Sequence, residues 1–140
     1  MLSKIEILEQ EIYDKKINVE HRTIGDLNKS FCIIDNHYGT NDKYIVVDKE
    51  KITNSKEYRT ILLHELEHLD NYHLMYNFSK TMKSIKSCES RITTRLIKKY
   101  VDKEKLMQMI KANTTLFDIS EEMMLSEDLI KAAYEFYKIN

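Results

Sequence analysis

The sequence predicts an α+β protein: a short N-terminal helix, a small antiparallel sheet of about three strands packed on one long helix, then a mostly helical C-terminal half. Three observations lead there. Apolar residues recur every three to four positions at the N-terminus and again beyond residue 54. Between Lys16 and Asp48 the pattern switches to short runs rich in β-branched and aromatic residues. The length, 140 residues with 42% hydrophobic and 32% charged, suits one domain around a single core.

Ile5, Leu8 and Ile12 lie on one face of the first helix. Ile17-Asn18-Val19, Phe31-Cys32-Ile33-Ile34 and Tyr44-Ile45-Val46-Val47 read as the strands. Between the last two, residues 35–42 are rich in Asp, Asn and Gly, which is turn chemistry. Asn54 followed by Glu57 makes a capping pair for a helix over about 55–72. Tyr58, Ile61, Leu62, Leu66 and Leu69 form its apolar stripe. A second long helix covers about 81–101, with Met82, Ile85, Ile92, Leu96 and Tyr100 on one face. Two or three shorter helices follow, one starting at Ser126 with Glu127 and Asp128 in its first turn, where the helix dipole favours acids. Within one domain, residues 1–101 are expected to form the core and 102–140 a small helical subregion.

Several classes of function are disfavoured. A formal net charge of -1 offers no global polycation to nucleic acid. No run of 18 apolar residues is present to span a membrane. The first residues lack the basic start and apolar block of a signal peptide, so a cytoplasmic location is expected. Cys32 and Cys88 are then expected as free thiols. Pro is absent and Gly occurs only at Gly25 and Gly39, which argues against a flexible linker.

The chemistry concentrates in His64-Glu65-Leu66-Glu67-His68. On a helix, residues four apart differ by only ~40°, so the two imidazoles point the same way. Two neutral imidazoles suit zinc and leave room for a third protein ligand and a water. Glu65 sits about 100° round from His64, where it can act as general base on water that zinc has acidified toward pKa ~7. The bland alternative is a solvated helix face carrying two surface His.

A third ligand must come from elsewhere. On a straight helix His73 lies about 180° from His64, and Asp70 about 240°, so neither reaches the site. Leu74 stands where an extended His motif would place its third His. Glu89 is the better candidate, because it falls on the apolar stripe Ile85, Ile92, Leu96 of the next helix. A carboxylate there needs a partner, either a metal ion or, less informatively, Lys86 or Arg91.

On these residues the sequence resembles the ImmA/IrrE family of zinc metallopeptidases, and the resemblance covers most of the chain. Glu57 to His68, EYRTILLHELEH, is similar to the family's helix through HELGH, and Glu89 opens CESRITTRLI, similar to its Glu-x-x-Ala-Asn segment. The resemblance implies a gluzincin-like site, with His64, His68 and Glu89 as zinc ligands and Glu65 as base. It also implies a substrate: a helix-turn-helix repressor of a mobile element, phage or stress programme. Two departures stand out. Glu67 replaces the usual Gly, which could alter metal affinity or close one side of the cleft, and Ile92-Thr93 replace Ala-Asn.

The function expected is therefore a zinc-dependent endopeptidase. The alternative is a non-proteolytic zinc-containing regulator that binds and displaces a repressor or a toxin–antitoxin partner. Tyr72, Tyr76, His37 and His73 are possible oxyanion or substrate contacts. The strand Tyr44, Ile45, Val46, Val47 could hold an extended substrate by edge pairing. From Lys80 to Lys105 nine basic residues face three acids, either a solvated face or a surface for an acidic partner or phosphates. From Leu116 to Asn140 six acids oppose two Lys, so direct binding of nucleic acid by a helix-turn-helix end is not expected.

Overall fold

The computed structural model describes residues 1–24, 30–35, 41–71 and 82–139, with the backbone alone for 82–87. Among them are six α-helices and one three-stranded sheet, so the α+β class holds. The chain divides into two compact units, Met1–Tyr72 and His73–Asn140.

In the first unit, helix α1 (Lys4–Asp14) starts on a capping box. Ser3 Oγ accepts from Glu6 N at 3.2 Å, and Glu6 Oε2 accepts from Ser3 N at 2.7 Å. Leu8 and Ile12, four apart, are its buried residues. Lys16 in the left-handed region, φ 58°, turns the chain into the sheet. The strands are β1 (Ile17–Arg22), β2 (Phe31–Asp35) and β3 (Asp42–Asp48), in the order β1-β3-β2.

The sheet is mixed rather than antiparallel throughout. β2 and β3 form an antiparallel pair from Phe31↔Val46 to Asp35↔Asp42. β1 pairs with β3 in parallel, from Ile17↔Lys43 to Arg22↔Asp48. The short link between β2 and β3 forces them antiparallel, whereas β1 skips a neighbour and takes the far edge. Ile45, Val46 and Val47 are buried in succession, as befits the central strand.

Helix α2 (Ser55–Asp70) begins as its cap predicts, with Glu57 N donating to Asn54 Oδ1 at 2.9 Å. It packs against β2 and β3 through a buried face that includes Leu62, Leu66 and Leu69, and it also touches α1. Lys15 Nζ bridges to Asp70 Oδ2 at 3.5 Å and so joins the ends of α1 and α2. Burial alone would lower the Lys15 pKa, but the carboxylates of Asp70 and Glu11 outweigh it and the net shift is upward.

The second unit holds α3 (Met82–Tyr100), α4 (Lys103–Lys111), α5 (Leu116–Met123) and α6 (Glu127–Ile139). α3 and α5 each pack on α6. Tyr137 Oη donates toward the carbonyls of Val101 at 2.7 Å and Ile97 at 3.3 Å, pinning α6 to the end of α3. This packing groups α3 with the C-terminal helices. Asp102, Thr115 and Ser126 cap the starts of α4, α5 and α6. Met124 at φ 53° makes the left-handed end of α5. Among the described residues no helix is long and apolar enough to cross a membrane.

Candidate metal centre

α2 sets out the motif as helical spacing requires. His64 and His68 are one turn apart, and their Nε2 atoms face each other at 3.0 Å. The rings meet edge to face, with centroids 4.7 Å apart and an interplanar angle of 69°. His68 is 7% exposed and Glu65 6%, while His64 is half-buried. Their backbone neighbours Leu63 and Leu66 belong to the core, which fixes the helix that carries them.

The donor set fits a tetrahedral metal. Two imidazole nitrogens on one zinc, each bonded at 2.0–2.1 Å, sit about 3.3 Å apart. The observed separation needs only a small turn of each ring. As a free pair, one Nε2–H donates to the other Nε2. As ligands, both rings carry the proton on Nδ1 and turn their Nε2 lone pairs to one point. Glu89 belongs to α3. As donor types, two imidazoles and one carboxylate are the set expected for such a metal.

Comparison with protein-family models, curated proteins and solved structures found no match.

Glu67, the acid where the resembled family has Gly, is 3% exposed. Its carbonyl accepts from Asn71 Nδ2 at 2.8 Å, and its Oε1 accepts from the same nitrogen at 3.0 Å. Asn71 is the C-cap of α2, and its backbone N–H donates to Glu67 O and His68 O. Backbone and side chain of Asn71 therefore close the turn that carries His68.

One polar pair was not foreseen. His21 Nε2 and Tyr58 Oη are 2.7 Å apart, joining β1 to the start of α2. Tyr58 precedes Glu65 by seven residues, which places it about 20° away on the helix and about 10.5 Å toward its N-terminus. Burial, helped by the charge of Glu9, raises the Tyr58 pKa. The seven-residue spacing was readable, but nothing in the sequence marked His21 as the partner.

Two expectations change or fall elsewhere. Tyr44, Ile45 and Val46 cannot pair with a substrate strand, because β3 is central and these residues face β1 on one side and β2 on the other. Val47 is partnered by His21 on the β1 side. Among the described residues, β1 and β2 are the edges. His37, Tyr72, His73 and Tyr76 lie outside the described residues. Asp70 is engaged with Lys15, in keeping with its place away from the His pair.

Proposed function

We propose that the chain is a zinc-dependent endopeptidase that cuts a helix-turn-helix repressor in the cytoplasm. The observation that carries this reading is the pair of facing Nε2 atoms on α2, with the buried Glu65 between them in sequence. A zinc ion held by His64, His68 and Glu89 would supply a Lewis acid for the scissile carbonyl and lower the pKa of water toward ~7.

The chain's own side chains account for the rest. His64 and His68 hold their Nε2 lone pairs toward one point. Glu65 takes the proton of the attacking water on a carboxylate oxygen and later gives it to the leaving amine. An extended substrate would pair with β2, the edge strand that packs beside α2. Phe31 and Ile33, 40% and 43% exposed, alternate on that strand and offer apolar contacts to such a peptide. The repressor as substrate is supported by the likeness of Glu57–His68 and of the Glu89 segment to ImmA/IrrE sequences.

The test is to incubate the zinc-loaded protein with a helix-turn-helix repressor, taken from beside its gene where one is encoded there, with and without a chelator, and to read fragments by mass spectrometry. Zinc-dependent cleavage at one bond is expected. A repressor that is released intact would replace this reading with that of a non-proteolytic regulator.

A further inference from the structure

The basic segment noted in the sequence resolves, on α3, into an organised groove. Ser90, Arg91, Thr94, Arg95 and Lys98 line one surface depression of about 440 Å³. All five lie within nine residues of one helix, and Arg91, Arg95 and Lys98 are exposed. By helical geometry the three cations fall within about 60° of one another, over about 10.5 Å of the axis. The buried Ile92 and Leu96 occupy another face. Glu89 lies about 150° from the middle of the cationic stripe, so this groove is separate from the proposed metal ligand. Lys98 is held in place, with Nζ 5.9 Å from the centroid of the Phe136 ring on α6.

We propose that this groove docks an acidic, extended segment of a partner protein. Two guanidiniums and an ammonium, flanked by the hydroxyls of Ser90 and Thr94, are donors that match carboxylates. Successive side chains on one face of an extended peptide are about 6.6–6.8 Å apart. The axial step from Arg91 to Arg95 is about 6 Å. Acids at alternate positions of a peptide can therefore meet Arg91 and Arg95, with Lys98 about 4.5 Å further along the axis.

The surroundings favour a peptide over a nucleic acid. The groove is only one helix wide. α6, which packs beside α3, carries Glu127, Asp128 and Glu135 against Lys131 and Lys138. A duplex, with phosphates along both strands, would bring charge against those acids, whereas a single acidic segment can stay within the groove. The inference does not depend on hydrolysis, because no residue of the groove belongs to the proposed metal site.

The test uses the full chain and a labelled dodecapeptide of alternating Glu and Ser, read by fluorescence anisotropy at low salt. Binding is expected to weaken steadily as salt rises, since these charges are exposed. The triple variant R91Q/R95Q/K98Q should bind at least about tenfold more weakly. Its circular dichroism and zinc content should not change. A Lys-Ser peptide should not bind. No binding of the Glu-Ser peptide, binding indifferent to the triple variant, or tighter binding of a short DNA duplex would each overturn the proposal. Should the triple variant misfold, the charge-neutral single variants R95Q and K98Q each carry the same expectation at smaller size.

Discussion

Asn71 Nδ2 donates to both the carbonyl and the carboxylate of Glu67, one turn before it, at 2.8 and 3.0 Å. This bond explains how α2 tolerates a buried acid beside the motif. The acid helps to hold the last turn of the helix closed around His68.

Glu67→Gly is therefore expected to destabilise the protein. It removes an amide–carboxylate hydrogen bond, worth about 1.5–3 kcal/mol, and places Gly in a helix at a cost of up to about 1 kcal/mol. Urea unfolding followed by circular dichroism should show a loss of about 2–3 kcal/mol. Glu67→Gln keeps an acceptor and should lose much less. Equal stability of Glu67→Gly and the native chain would show that the Asn71 bond contributes nothing.

The relation between Glu67 and Asn71 was open to a reading of the sequence, since acid and amide four apart on a helix are neighbours. So were the start of α2 at Asn54, the start of α6 at Ser126 and the three strand positions, because each rests on contacts within a few residues. The parallel pairing of β1 was not legible. Hydrophobic runs locate strands, but the order β1-β3-β2 depends on where the chain returns, and no local residue records that. The edge-pairing role given to Tyr44, Ile45 and Val46 failed for the same reason. Of the site, the spacing of His64 and His68 decided the facing Nε2 atoms in advance. His21 and Tyr58, 37 residues apart in sequence, follow no periodicity and needed the fold.

Tyr58 should ionise late. Burial and then the Glu9 carboxylate raise its pKa above the usual value near 10. A raised pKa means that the neutral phenol is favoured in the folded state. The stabilisation is complete below about pH 10 and is lost as pH rises through the raised folded value. Phenolate absorbance should show late-titrating tyrosines in the native protein, and Tyr58→Phe should remove one of them. An unchanged titration in that variant would show that Tyr58 ionises like an exposed tyrosine.

Tyr137→Phe tests the joint between α3 and α6. The hydroxyl lost donates toward Val101 O and Ile97 O. Removing it should lower stability by about 0.5–1.5 kcal/mol. Hydrogen exchange should quicken at the end of α3 and along α6, and the residues of α2 should be unaffected. Uniform quickening across both units would contradict a local joint.

Glu65→Gln separates binding of metal from catalysis. The variant keeps both imidazoles and a side chain of the same shape, so zinc content should remain one per chain. It removes the proton acceptor, a change that costs about 10²–10⁴ in rate where a side chain acts as general base. His64→Ala and His68→Ala should instead lose the metal, because each removes one of the two facing nitrogens. The decisive comparison is elemental analysis beside repressor cleavage for all three variants. Glu65→Gln that cleaves at the native rate would remove Glu65 from the chemistry. Either His variant that retains zinc at native affinity would remove that imidazole from the ligand set.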